Sequence, residues 1–280
     1  IDVGDFLEVT GKVFLTKKGE KTLEVNAYRL LCKALLPLPE KWHGLSDVEA
    51  RYRQRELDLL VNPEVRQRFI VRSKLISSLR SFLDKMDFLE VETPILQPIP
   101  GGANARPFIT HHNALDANLF LRIAPELYLK RLIIGGFERV YEIGRLFRNE
   151  GIDQSHNPEF TTIELYWAFV EKEEFIQTLE DIVRHIVEQA TGKLQLSHEG
   201  TVIDFGSSYP RVTFREAIQR ACGIDIDAYR NKADLQQAVS KAKLNIDFSR
   251  CVGIGECYEE FYKKTARPLD EQPTWIFDYP

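Results

Sequence analysis

Between Asp5 and Phe14 apolar residues are dense, Lys17-Lys18-Gly19-Glu20 is polar, and Thr22 to Tyr28 roughly alternates. That pattern predicts short strands over residues 1–39. A meander of this size has too little core to fold alone, so it reads as an appendage or as the tail of a small barrel. Pro37 and Pro39 punctuate a connector. Residues 40–62 follow with Arg51, Arg53 and Arg55 set among acids.

The pattern then changes period. Asn62-Pro63-Glu64 has the chemistry of a helix start, with a cap, a pre-set φ and an acid at the positive end of the dipole. Val65, Phe69, Ile76, Leu79, Leu83 and Met86 follow at three-four spacing, predicting a helix over 64–86. FLEVETPIL (88–96) reads as a strand, Pro100-Gly101-Gly102 as a turn, Thr110 to Asn113 as a polar stretch and LFLRI (119–123) as a strand. Pro125 starts a short helix closed by Gly135-Gly136. Two long strands are predicted over 138–149 and 159–169, joined by the loop GIDQSHNP. A helix over 171–190 carries Phe175, Leu179, Ile182 and Ile186 and ends near Gly192. Thr213 and Glu216 form a capping-box pair for the next helix. Residues 233–243 and 256–265 read helical, and Trp275 to Pro280 reads as strand. Long strands joined by a tight loop, with helices between, predict an α+β fold with an antiparallel sheet.

Composition changes this picture little. The chain has 280 residues, 37 Lys+Arg against 42 Asp+Glu, a net charge of −5 and 44% apolar residues. These values exclude a disordered, collagen-like or rod-like chain. Overall charge does not favour nucleic acid, which leaves local basic patches. No apolar run approaches the roughly 20 residues that span a bilayer. The opening IDVGDFLEV has no apolar signal region, so no membrane partner is expected. Cys32, Cys222, Cys251 and Cys257 form no CxxC pair; reduced, mostly buried thiols are expected rather than a zinc cluster or disulfide framework.

Strand alternation singles out one polar face. Phe160, Thr162, Glu164 and Tyr166 fall on one side of their strand, and Thr161, Ile163, Leu165 and Trp167 on the other. Glu142, Gly144, Leu146, Arg148 and Glu150 share a face of the preceding strand. If the loop makes a hairpin, arginine, carboxylates and aromatic rings meet on one sheet face. An arginine fork suits carboxylate and phosphate oxygens, a ring can stack on a base, and a buried carboxylate suits an ammonium group. A solvent-facing sheet with weak surface ion pairs is the alternative.

The segment GFERVYEIGRLFRNEGIDQSHNPEFTTIELYWAF (136–169) resembles the second motif of the class II aminoacyl-tRNA synthetases, and FLEVETPIL resembles the first. HGLSDVEARYRQRELDLL, PGGANARPFITHHNALD and LRIAPELYLKRL are similar to lysyl-tRNA synthetase in particular. The resemblance covers nearly the whole chain, in the family's order.

The resemblance implies a class II antiparallel sheet with helices over 63–280, preceded by a linker over 40–62 and the remainder of an anticodon-binding OB barrel over 1–39. It implies lysine–tRNA ligase activity, with ATP, L-lysine and tRNA(Lys) as partners, Mg²⁺ as cofactor, a homodimer and a cytoplasmic location. By the same resemblance Arg148 is the catalytic arginine, holding the amino-acid carboxylate and the α-phosphate. Glu150, His156 and Phe160 match ATP-binding positions, Phe160 being the ring that stacks on adenine. Gly102 and Glu126 match positions that hold the α-amino group, Glu164 and Tyr166 the lysine side-chain pocket, and Pro94 the dimer interface.

The family's third motif, with further lysine- and Mg²⁺-binding carboxylates before it, is expected beyond Pro280, and the first barrel strands before Ile1. The metal ligands are therefore not assigned, and the 280-residue piece alone is expected to be weakly active or inactive. Competing functions are a synthetase-like binding or regulatory protein without catalysis, and an enzyme that transfers lysyl groups to a protein. An aspartate or asparagine enzyme fits less well, because Glu164 would repel an aspartate side chain.

Other features have plainer expectations. His111 and His112 are adjacent on an extended segment and point apart, which disfavours a metal site. Arg51, Arg53 and Arg55 are either contacts for tRNA phosphates or, since they alternate with Glu49, Glu56 and Asp58, a solvated face, and the second is the plainer expectation. Gly253-Ile254-Gly255 lacks a strand-GxGxxG-helix context and reads as a turn. Tyr258, Phe261 and Tyr262 read as packing residues.

Overall fold

The computed structural model describes residues 1–36, 38, 45–153 and 155–280. Pro37, Pro39 and residues 40–44, the expected connector and the start of the expected linker, lie outside the described residues, as does Gln154 in the expected loop. The chain forms two compact units, Ile1–Ser73 and Lys74–Pro280.

In the first unit, β1 (Phe6–Leu15) pairs antiparallel with β2 (Lys21–Cys32) around the polar turn. Most of their side chains are exposed. Two short helices follow, α1 (Val48–Arg53) and α2 (Arg55–Val61). The expected solvated arginine face is corrected here. The side chain of Asp58 is buried and accepts from Arg51 Nε at 2.8 Å, Arg55 Nη1 at 2.5 Å and Asn62 Nδ2 at 2.7 Å. Only Arg53, paired with Glu49, behaves as a surface residue. Helix α3 (Pro63–Lys85) opens on Pro63, as Asn-Pro-Glu predicts.

In the second unit the predicted strand 88–96 is broken into β3 (Leu89–Glu90) and β4 (Leu96–Gln97). Pro94 supplies no backbone donor, which interrupts the ladder between them. The polar stretch around His111 forms strand β5 (Ile109–His112), paired with β6 (Ala117–Leu121), which also pairs with β4. Helix α4 (Glu126–Ile134) follows Pro125 and ends at Gly135. Strands β7 (Arg139–Phe147) and β8 (Glu159–Trp167) form the long hairpin, antiparallel and in continuous register, with β3 parallel to β7 on the other side.

Helix α5 (Lys172–Thr191) ends at Gly192, whose φ of 78° forms a left-handed cap. Its Ile182 makes one core with Leu79, Leu83, Phe88 and Tyr141, and Ile163, Leu165 and Trp167 pack against it. The apolar side of the hairpin is therefore the helix-facing side, and the polar side is left for the site.

The rest of the unit contains β9 (Gln195–His198), β10 (Thr201–Asp204), β11 (Arg211–Thr213), α6 (Phe214–Cys222), α7 (Lys232–Lys241), α8 (Ile254–Thr265) and β12 (Trp275–Phe277). Here β9 pairs antiparallel with β10, and β11 parallel with β12. The Thr213–Glu216 capping box is present at α6. Gly253 caps α8, so Gly253-Ile254-Gly255 is a helix start rather than a turn. Tyr258 and Phe261 are buried with Phe214, Leu235 and Phe248 in a second core, against which Tyr262 packs.

Two further expectations need correction. Phe69 is 49% exposed rather than core, whereas Val65, Leu79 and Leu83 are buried. All four cysteines are free, but Cys32 is exposed and only Cys257 is buried. No described helix is long and apolar enough to cross a membrane.

Candidate functional site

The site grows from the β7–β8 register. Glu142 faces Glu164, Gly144 faces Thr162 and Leu146 faces Phe160. Beyond the ladder, Arg148 N–H donates to the carbonyl of Pro158 at 2.8 Å, which carries the hairpin one step further. The guanidinium of Arg148 lies over the Phe160 ring, 5.1 Å from its centroid. Its Nε is buried and has no hydrogen-bond partner. Among the described residues no carboxylate pairs with it, which is unusual for a half-buried cation.

The loop after β7 closes a cavity of about 260 Å³ around Arg148. Glu150, Gly151, Ser155, His156, Asn157 and Phe160 line the remainder. All four positions matched to ATP binding therefore line one space. Asp153 organises the loop: it accepts from the N–H groups of Ser155 and His156 and from His156 Nδ1, each at 2.8 Å. The Ser155 N–H and the His156 ring, foremost among these, hold its carboxyl down to about 2. Asn149 N–H donates to the Arg106 carbonyl at 2.7 Å, and Glu150 accepts from Arg106 N–H at 3.3 Å. The loop around 101–106 is thereby tied to the hairpin.

That loop places Gly102 against α4. Its φ is +87°, and a Cβ there would stand 2.9 Å from Glu126 Cβ and 3.0 Å from Ala124 Cβ. Only glycine fits both the backbone and the space. Gly102 and Glu126, separated by sequence, are thus adjacent. Glu126 holds the ammonium of Lys130, one helical turn on, at 2.5 Å.

Glu164 and Tyr166 lie on the same sheet face. Burial pushes the Glu164 carboxyl up, the negative charges of Glu126 and Glu142 push it further, and Arg122 and Arg148 oppose them. Burial raises the Tyr166 phenol to about 12, helped by the charges of Glu164 and Glu126 and a hydrogen bond to Glu164. This part of the sheet face therefore carries a surplus of carboxylate and a protonated phenol, the chemistry that receives a cation.

Two residues of this region escaped sequence reasoning as a pair. Arg122 and Glu142 are 2% and 3% exposed and form a buried ion pair. Arg122 also donates to the Arg145 carbonyl at 2.8 Å, and Thr93 Oγ1 donates to Glu142 at 2.6 Å. The only sequence signal was an arginine inside the apolar strand LFLRI and a glycine two residues past Glu142. A Cβ on Gly144 would collide with the Arg122 guanidinium.

Pro94 is exposed, and its carbonyl accepts from Gln97 Nε2 at 3.2 Å; it is not among the residues lining the Arg148 cavity. The Nδ1 of His111, in β5, lies 3.2 Å from Oδ1 of Asn118, in β6. Among the described residues no three His, Cys, Asp or Glu side chains converge as a metal-ligand set.

Residues 47–280 match the family model described as tRNA synthetases class II (D, K and N). The lysine–tRNA ligase of Carboxydothermus hydrogenoformans is 50% identical over 281 positions, covering 100% of this chain and 57% of that protein. That of Moorella thermoacetica is 50% identical with the same coverage, and that of Pelotomaculum thermopropionicum is 48% identical, with 55% of its length covered. The chain spans a little over half the length of these relatives. With its α+β architecture and the matched region reaching across most of its length, the chain belongs to the class II tRNA synthetases of the D, K and N group.

Proposed function

We propose that the protein carrying this chain is a lysine–tRNA ligase. The observation that carries the reading is the Arg148 guanidinium, stacked on Phe160 with an unpartnered Nε, on the sheet face that also bears Glu164 and Tyr166.

Lysine carboxylate and ATP are both negative, so their reaction needs positioning and charge neutralisation more than covalent help. Arg148 is the catalytic residue. Its fork binds the amino-acid carboxylate and the α-phosphate together and stabilises charge as it builds on the transferring group. A carboxylate oxygen bonds to the α-phosphorus while the bond to the bridging oxygen breaks and pyrophosphate leaves. The terminal hydroxyl of tRNA(Lys) then attacks the lysyl carbonyl and displaces AMP. Phe160 offers its ring to adenine, while Glu150 and His156 border the nucleotide. Gly102 leaves room for the substrate α-ammonium beside Glu126, which exchanges the ammonium of Lys130 for it. Glu164 and Tyr166 receive the lysine side chain, and a neutral residue there leaves a buried carboxylate unpaired.

Mg²⁺ belongs to the proposal through the family. The described residues offer no three-ligand cluster for it, and their own contribution is charge neutralisation by Arg148. The proposal also includes a homodimer with Pro94 at the interface, where Ile95, Leu96 and Ile99 are 44%, 48% and 75% exposed. It places residues 1–39 as an OB-barrel remainder, 40–62 as linker and 63–280 as catalytic domain, and sets the enzyme in the cytoplasm with its tRNA.

The test is amino-acid-dependent ATP–pyrophosphate exchange by the whole protein. Exchange with lysine and not with aspartate or asparagine is expected. Exchange driven by aspartate or asparagine overturns the substrate assignment, and lysine binding without exchange points to a non-catalytic relative.

A further inference from the structure

Three carboxylates, Glu126, Glu142 and Glu164, gather beside one another, and they are not equivalent. Glu126 is held by Lys130 at 2.5 Å and Glu142 by Arg122, whereas Glu164 forms no ion pair among the described residues. We propose that Arg122 is a positioning residue for amino-acid selection: it occupies Glu142 and so leaves Glu164 as the carboxylate open to the substrate's side-chain ammonium. This inference rests on the lysine reading and gives a role to a residue outside the set assigned to substrate contact.

The register creates the need for such a residue. Glu142 and Glu164 are direct partners across the β7–β8 ladder. Side chains so placed stand about 5 Å apart at Cβ, and like charges there repel. Left to themselves, the two carboxylates would share one proton and offer a cation two competing seats. Arg122 removes the ambiguity. Its guanidinium takes Glu142 Oε1, while Oε2 accepts from Thr93 Oγ1 at 2.6 Å and from Thr93 N–H at 3.3 Å. Both oxygens of Glu142 are therefore in use.

The guanidinium is itself fixed. Its Nε donates to the Arg145 carbonyl at 2.8 Å and its Nη1 to the Thr93 carbonyl at 3.3 Å. Gly144 leaves the space it crosses, which a Cβ would fill. Stability alone does not account for this pair, because apolar residues of similar volume often serve as well as a buried ion pair. Its electrical effect reaches the site. Glu164 is faced by Glu126 from α4, Glu142 from β7, Arg122 from beyond β6, Arg148 from beyond β7 and Tyr166 from its own strand. At Glu164 the charge of Arg122 opposes that of Glu142.

The test is the pH dependence of lysine-dependent ATP–pyrophosphate exchange by the whole protein, in Arg122→Met, Glu142→Gln and the double variant. The profile of kcat/KM for lysine reports the free enzyme's carboxyl. Arg122→Met removes a cation and should move its rise to higher pH. Glu142→Gln removes an anion and should move it to lower pH. Glu142→Gln also leaves Arg122 uncompensated where a cation must bind, so KM for lysine should rise about tenfold while KM for ATP changes less than about twofold. The double variant should return both the profile and KM for lysine close to wild type. Where Arg122→Met does not fold, Glu142→Gln and the double variant decide. Parallel losses for lysine and ATP with an unmoved profile make the pair a structural brace and overturn the proposal. So does a double variant no better than Glu142→Gln. A wild-type protein without lysine-dependent exchange overturns the lysine reading and this inference with it, whereas unmoved profiles in a protein that activates lysine overturn this inference alone.

Discussion

The guanidinium of Arg122 and the carboxylate of Glu142 form an ion pair that is almost wholly buried, with Gly144 against it. Arg122 lies just past the end of β6 and donates to the carbonyls of Thr93 and Arg145, so one side chain joins three segments of the second unit. Glu142 in turn faces Glu164 across the hairpin. The pair anchors the ends of the chain segments that lead on to Glu126 and Arg148.

Removing one partner strands the other charge. Arg122→Met is expected to cost about 3–5 kcal/mol of stability, while pairing it with Glu142→Gln recovers most of the loss. Denaturant midpoints of the three proteins check this. A loss below about 1 kcal/mol in Arg122→Met would show that water reaches the pair.

Gly144→Ala acts on the same pair from the other side. The added methyl displaces the guanidinium, at a cost of about 1–3 kcal/mol. Lysine-dependent activity should fall with it, because β7 carries Glu142 and the approach to Arg148. Wild-type stability and activity together would contradict the steric account.

Glu164 gives a pH signature. Its carboxyl is raised above 4.5 by burial and by the charges of Glu126 and Glu142. The folded state thus binds a proton that the unfolded chain releases near 4.5, so this group's contribution to stability falls as pH rises from there to the raised value. An incoming ammonium favours the ionised form, so lysine binding releases protons and tightens as pH rises through that window. Calorimetry in buffers of different ionisation enthalpy measures the release. Glu164→Gln should abolish it and lower kcat/KM for lysine about a hundredfold, while changing KM for ATP little. Equal losses for both substrates would remove Glu164 from the lysine pocket.

Phe160→Ala should raise KM for ATP about tenfold by removing the stacking surface. It also frees the Arg148 guanidinium, now 5.1 Å above the ring, so kcat should fall too. Phe160→Tyr keeps the ring and should restore most of both. An unchanged KM for ATP in the alanine variant would place adenine elsewhere.

The polar hairpin face was legible because alternation has a period of two and needs only a correct strand assignment. Arg148, Phe160, Glu164 and Tyr166 follow from it directly. The Thr213–Glu216 box was equally local. The adjacency of Gly102 and Glu126 had no local signal, since a loop and a helix start meet only in three dimensions. The Arg122–Glu142 pair was hidden for the same reason. Arg51 and Arg55 were misread because charge alternation along the chain does not reveal that Asp58 turns inward and takes both. FLEVETPIL looked like one strand because its apolar density outweighed the break that Pro94 imposes.

The most direct test is lysine-dependent ATP–pyrophosphate exchange by the whole protein with Arg148 replaced by alanine and, separately, by lysine. Exchange should disappear in Arg148→Ala. It should stay severely reduced in Arg148→Lys, because a point charge cannot bridge a carboxylate and a phosphate as a fork does. Near-normal exchange in Arg148→Ala would contradict the central role given to this residue.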